Sequence, residues 1–153
     1  VAGALGICRD RQSYEGQAAM ELEALATPHM SKAKPYPFQI CRDTPSIVRF
    51  APMWSVLLND LDRGKSQGQI AARFHRTLIS AAVQTTKAIS DIYPIDVVAL
   101  SGGVFQNRIL LDGIGTELEA NSLRVLRHHR IPANDGGISL GQAAIASALA
   151  LTQ

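Results

Sequence analysis

The sequence lacks most of the features that announce a protein class. It has two cysteines, Cys8 and Cys41, in 153 residues, and no CxxC pair. Two isolated thiols build no disulfide framework, and they suit a reducing, cytoplasmic setting. No apolar run approaches the roughly 20 residues that cross a bilayer. No basic-then-apolar leader stands at the start, so neither membrane nor secretion is expected. An excess of one charge is also missing: 15 Lys and Arg face 13 Asp and Glu, for a net charge of +2. Bulk electrostatics therefore give no argument for nucleic acid. The one local basic cluster is Arg124, Arg127, His128, His129 and Arg130. The phosphate-binding GxxxxGK[ST] loop and the dinucleotide GxGxxG fingerprint are both absent, which excludes two common nucleotide folds. There is no internal repeat and no low-complexity tract.

What is present is ordinary globular material, 46% apolar and 18% charged, and the length suffices for one domain with a core. The chain opens on Val1-Ala2-Gly3-Ala4-Leu5-Gly6 without Met. That stretch reads as the tail of a helix closed by Gly6 at a C-cap. The expectation is a piece of a longer protein; a terminus exposed by processing is the alternative.

Ser13 can cap a helix over residues 13–26 that presents Ala18, Ala19, Leu22 and Leu25 on one face. Residues 27–45 hold Pro28, Pro35, Pro37 and Pro45 and predict a surface excursion, with a short strand near Phe38-Gln39-Ile40. Residues 47–50 read as a strand, and residues 53–61 as a helix stopped by Gly64. Ser66 caps a helix to about Asp91, whose stripe is Ile70, Phe74, Leu78, Ala81, Ala82, Thr85 and Ile89. His75, beside that stripe, is expected to be a core or edge histidine. Val97-Val98-Ala99-Leu100 is continuously apolar, as in a strand buried on both faces. A helix over residues 105–120, weakened by Gly113 and Gly115, follows. A second short strand is expected over residues 123–126, then a small-residue helix from Ile138. Strand, helix, strand implies a right-handed crossover and a parallel pair.

Chemistry concentrates where the buried strand meets the helix, in Ser101-Gly102-Gly103. Helix-initial amides lack internal partners and attract anions. Two glycines leave the backbone uncovered and allow positive φ. Asn107, one turn beyond Gly103, is placed to look back over this cradle and hydrogen-bond a base or sugar. The same residues also suit a tight turn that binds nothing. Asn134-Asp135-Gly136-Gly137 is a second junction. Either Asn134 or Asp135 can be its N-cap. Alternatively, Asp135 offers a carboxylate to a metal ion beside the first cradle. His128 and His129 are adjacent on a strand end and point to opposite sides, which makes them surface or supporting residues rather than a ligand pair.

Two stretches together carry a resemblance. They are Ser101-Gly102-Gly103-Val104-Phe105-Gln106-Asn107-Arg108, and Pro132-Ala133-Asn134-Asp135-Gly136-Gly137 continuing through Ile138-Ser139-Leu140-Gly141-Gln142-Ala143. Tyr14-Glu15-Gly16-Gln17-Ala18-Ala19 and Ala71-Ala72-Arg73-Phe74-His75-Arg76-Thr77-Leu78 add to it. Over essentially its whole length the chain resembles the C-terminal, TsaD-like part of the HypF carbamoyltransferases of nickel–iron hydrogenase maturation.

The resemblance implies an α/β fold: residues 1–153 would be one lobe of an actin-like, sugar-kinase-like (ASKHA) ATPase, with helices packed on a small mixed sheet. It implies use of ATP and carbamoyl phosphate, a carbamoyl-adenylate intermediate, and transfer to the C-terminal cysteine of a HypE-type acceptor. Gly102, Gly103 and Asn107 match the SGGxxxN motif that holds the nucleotide in TsaD-type relatives. Glu15 falls where those relatives place an acid against the ribose hydroxyls, although a first-turn helix acid looks the same. Asp135 matches a metal-binding aspartate of unspecified metal, whose companion ligands lie in an HxxxH motif absent from this chain. The nucleophile would belong to the acceptor: Cys8 and Cys41 have no activating neighbours, and no catalytic residue is assigned here. The isolated lobe is expected to be inactive. The alternatives are a tRNA threonylcarbamoyl-transfer protein of the same superfamily and a non-catalytic nucleotide-binding module.

Overall fold

A buried tyrosine and a capped 24-residue helix organise the first part of the molecule. The structure, a computed structural model, describes residues 1–41 and 45–151. It divides into two compact units, Val1–Pro94 and Ile95–Gln153.

The first unit contains α1 (Gln17–Ala26), β1 (Gln39–Cys41), β2 (Ile47–Arg49), α2 (Ala51–Asp62) and α3 (Gln67–Ser90). β1 and β2 pair antiparallel, with Ile40 opposite Val48. Ser66 caps α3 as expected, and with Gln69 it forms a full capping box. Gly6 likewise closes the opening 3-10 turn Gly3–Leu5 in the left-handed region. Ser13 is not the cap of α1. That helix starts at Gln17 behind Gly16, whose φ of 81° turns the chain in, while the Ser13 amide donates to Gln17 Oε1. Glu15 consequently precedes the helix instead of lying in its first turn.

α1 and the 3-10 turn Thr27–Lys32 pack against α3. They approach so closely at Gly68 that a Cβ there would lie 2.8 Å from the Leu25 carbonyl oxygen. The buried residues of α3 are Ile70, Ala71, Ala72, His75, Thr77, Ile79, Ala81 and Val83 with Gly68. This set is wider than the expected stripe and rotated from it, and Ile89 is exposed. The reason is that α3 has neighbours on more than one side. Residues 27–45 are not a plain surface excursion either: Tyr36 is 1% exposed. Its amide donates to Thr77 Oγ1 at 2.7 Å and its hydroxyl to Asp60 Oδ2 at 2.9 Å. Residues 42–44 of that stretch lie outside the described residues. Asp60 is itself buried and is gripped by Lys65 at 2.8 Å and by Arg73. Burial alone would raise its pKa, but Lys65, the Tyr36 hydroxyl and Arg73 outweigh burial and hold the carboxyl below its usual range.

The second unit contains β3 (Val97–Leu100), α4 (Arg108–Ala120), β4 (Arg124–Arg127) and α5 (Ile138–Ala150). β3 and β4 are parallel, with Leu100 opposite Arg127, as the crossover rule predicts. Among the described residues the sheets are two separate pairs, one antiparallel and one parallel, and no single mixed sheet forms. β3 is not buried on both faces: Leu100 is buried, Val97 and Val98 are half-buried and Ala99 is exposed. Leu100, Leu110, Ile114, Leu118 and Leu123 form the core on the α4 side. Gly115 in α4 has a packing reason, because Arg127 lies across it and reaches Glu119 at 3.0 Å.

His75 is 2% exposed, and its Nδ1 lies 2.8 Å from the Ala71 carbonyl oxygen. It is the core histidine expected from the sequence. Burial pushes its pKa below the ordinary 6.5. The unfolded chain therefore takes up a proton at this ring before the folded one does. The stability this neutral ring contributes is complete above the unfolded pKa and is lost as pH falls below it. Urea melts should show the midpoint dropping between about pH 7.5 and about pH 5.5, with a smaller drop in His75→Gln. Equal drops in both proteins would exclude His75 as the source.

Candidate functional site

β3 ends at Leu100, and Ser101-Gly102-Gly103 leads into a 3-10 turn, Gly103–Gln106. Gly102 has φ 103° and ψ 160°, a conformation that residues with a Cβ avoid. Its amide donates to the Ala133 carbonyl at 2.8 Å. This bond stitches the first junction to the second, and Asn134 Cβ lies within 3.9 Å of a Cβ built on Gly103. The two motifs, distant in sequence, thus meet at one place.

The geometry corrects the cradle expected from the sequence. The Gly102 amide is engaged by the protein's own carbonyl, so two bare glycine amides are not on offer. The amides of the exposed residues Gly103 and Val104 find no backbone acceptor among the described residues. Nor does a single helix run over residues 105–120. The 3-10 turn ends, Asn107 is extended at φ −71° and ψ 110°, and α4 begins at Arg108. The cause is Asn107 itself, whose side-chain oxygen accepts the Leu110 amide at 3.0 Å and caps α4. Its oxygen therefore faces α4 instead of looking back over the turn, and the α4 dipole starts beyond the glycines.

At the second junction Asn134, not Asp135, is the cap: its Oδ1 accepts the Gly136 amide at 3.2 Å. Asp135 is exposed; its carbonyl accepts the Ile138 amide, while its carboxylate makes no hydrogen bond or ion pair among the described residues. Its carboxylate is available to a cation. Among the described residues no group of three His, Cys, Asp or Glu side chains is placed to hold a metal ion. Asp135 is one ligand, not a set. Glu15, in the first unit, is exposed in the turn before Gly16.

Sequence reasoning missed a pair at this junction. His128 Nε2 lies 2.9 Å from Ser101 Oγ. His128 also lines an open cleft of about 220 Å³ with Leu100, Phe105, Gln106, Leu111 and Pro132. The parallel register would have revealed the pair, because Leu100 and Arg127 are opposite and the next residue of each strand is Ser101 or His128. Cys8 is half-buried; partial burial and then the Glu21 carboxylate push its thiol pKa up, which opposes nucleophilic use.

Comparison with known proteins bears on this junction. The family described as "Carbamoyltransferase, Kae1-like Domain, second subdomain" matches residues 1–142. Carbamoyltransferase HypF of Rhodobacter capsulatus is 37% identical over 97% of this chain and 18% of its own length. Its counterpart in Rhizobium leguminosarum bv. viciae is 36% identical over 95% of this chain and 18% of its own length. A crystal structure of full-length HypF in the phosphate- and nucleotide-bound form superposes with a TM-score of 0.86 at 34% identity. It covers 97% of this chain and 19% of that one. The crystal structure of T. kodakarensis HypF gives 0.69 at 29% identity, covering 87% of this chain and 17% of that one. Fold and junction define a subdomain of a Kae1-like carbamoyltransferase domain. The chain belongs to the HypF carbamoyltransferase family, and it spans under a fifth of the length of the relatives named here.

The junction makes unequal demands on its glycines. A Cβ on Gly137 would lie 2.7 Å from the Pro132 carbonyl oxygen, a backbone atom that cannot swing away, whereas one on Gly103 meets nothing nearer than 3.9 Å. Gly137→Ala should cost about 1–3 kcal/mol in chemical denaturation, and Gly103→Ala no more than about 0.5 kcal/mol. Equal costs would show that the second loop does not pack as described.

Proposed function

We propose that this chain is the nucleotide-holding part of an ATP-dependent carbamoyltransferase of the cytoplasm, one lobe of an actin-like, sugar-kinase-like ATPase. It would draw on carbamoyl phosphate and deliver the carbamoyl group to the C-terminal cysteine of a HypE-type acceptor. The observation that carries the proposal is the joining of the two motifs by the Gly102–Ala133 hydrogen bond, which brings the exposed residues Gly103 and Val104 to the loop of Asn134 and Asp135. The nucleotide-bound state of a full-length relative that superposes on this chain supports it.

In this reading the Gly103 and Val104 amides donate to phosphate oxygens and oppose the negative charge that develops there. Gly102 and Gly103 present no side chain to obstruct that approach. The cleft beside them, with its Leu100, Phe105 and Pro132 walls, takes an apolar edge of the base or sugar. Asn107 contributes by holding the start of α4. Glu15 accepts from ribose hydroxyls. Asp135 supplies one ligand to a divalent metal whose other ligands come from the rest of the full-length protein; such a metal would neutralise phosphate charge. The acceptor thiolate then attacks the carbamoyl carbon of a carbamoyl-adenylate. A C–S bond forms, the C–O bond to the adenylate phosphate breaks, and AMP leaves.

Calorimetry with ATP on this chain alone should give millimolar dissociation constants, since few donors are supplied and water competes for each. Micromolar binding that survives Gly102→Val would overturn the assignment. In the full-length enzyme Asp135→Ala should abolish carbamoyl transfer while leaving thermal stability unchanged, because Asn134 does the capping. Undiminished transfer would remove Asp135 from the site.

A further inference from the structure

The first unit holds an open cavity of about 500 Å³ that the carbamoyl chemistry leaves unused. It lies where the loop after Thr27–Lys32 passes the start of α3. Its wall carries Lys32, Lys34, Lys65 and Arg73, with His29 and Gln69 between them. Four permanent cations on one concave wall are costly to assemble without counter-charge, because like charges repel more strongly as water is displaced. Asp60, buried behind the wall, answers two of them, Lys65 and Arg73. Lys32 and Lys34 have no acid partner among the described residues.

The wall is also held in place. Arg73 is fixed on three sides: by Asp60, by the Lys34 carbonyl that accepts its Nε–H at 3.2 Å, and by the Tyr36 ring 3.9 Å beneath its guanidinium carbon. A guanidinium locked in this way loses little freedom when an anion arrives. Lys65, Gln69 and Arg73 set one edge of the wall at the first turns of α3, whose start is fixed by the Ser66–Gln69 capping box. Fixed cations and a volume in the range of small-molecule sites favour a compact, multiply charged oxyanion over a polypeptide surface.

We infer that this cavity binds phosphate, either free or as the phosphomonoester end of a small molecule, with Lys32, Lys34 and Arg73 as its ligands. The site uses no residue of the glycine junction and is argued independently of the function proposed for it. The test is an ¹⁵N-resolved NMR titration of the full chain with inorganic phosphate, phenyl phosphate and acetate. Phosphate should shift the Lys65, Gln69 and Arg73 resonances saturably. These are distinct from Gly103 and Val104, which report on the junction. Phenyl phosphate binding more tightly than inorganic phosphate would identify an ester as the ligand, and equal affinity would identify the free ion; either supports the site. In Lys32→Ala/Lys34→Ala, whose side chains are exposed and whose fold should persist, affinity should fall at least about tenfold, as expected for lost charge-assisted hydrogen bonds. No saturable shift at these residues, an unchanged affinity in the double variant, or acetate binding as tightly as phosphate would each overturn the inference.

Discussion

A single backbone hydrogen bond, from the Gly102 amide to the Ala133 carbonyl, holds the candidate site together. It ties the loop after β3 to the loop before α5 and so brings the two motifs together. Gly102 must be glycine because forming the bond puts φ at 103°. Gly137 must be glycine because the second loop folds tightly over Pro132. With both loops pinned, the exposed residues Gly103 and Val104 stand close to the loop that carries the exposed Asp135. Neither loop alone carries both kinds of group. The first supplies donors without a cation ligand, and the second supplies a carboxylate without donors.

The first unit solves a different problem, the burial of charge. Asp60 is 4% exposed and would be costly to bury without partners. Tyr36, Lys65 and Arg73 satisfy it together, and Tyr36 is fastened in turn through Thr77 to the backbone of α3. That network draws the proline-rich stretch onto α3 and leaves a cationic wall on the outside. A structural knot and a binding surface here share the same arginine.

Much of this was legible in the sequence where the determinant is local. The Ser66 cap, the Gly6 C-cap and the parallel pairing across α4 all depend on neighbouring residues or on chain chirality. The positions of Gly102, Gly103 and Asp135 in two junctions were equally plain, and their resemblance to HypF agrees with the family the chain belongs to. What escaped was non-local. Nothing in Pro35-Tyr36-Pro37 says that Tyr36 is buried 24 residues from its carboxylate partner. The apolar Val97–Leu100 run suggested burial on both faces, but Ala99 is exposed and Val97 and Val98 are only half-buried. Asn107 was read as facing a ligand because a continuous helix from residue 105 would place it one turn beyond Gly103. Its competing use as a helix cap is equally natural chemistry for asparagine, and the local backbone decides the matter.

Amide hydrogen exchange at the junction tests this account most directly, residue by residue. The Gly102 amide should exchange slowly, protected by its bond to Ala133, while those of Gly103 and Val104 exchange quickly and slow down when ADP is added. Fast exchange at Gly102, or nucleotide-dependent protection that appears at Gly102 and spares Gly103 and Val104, would contradict it.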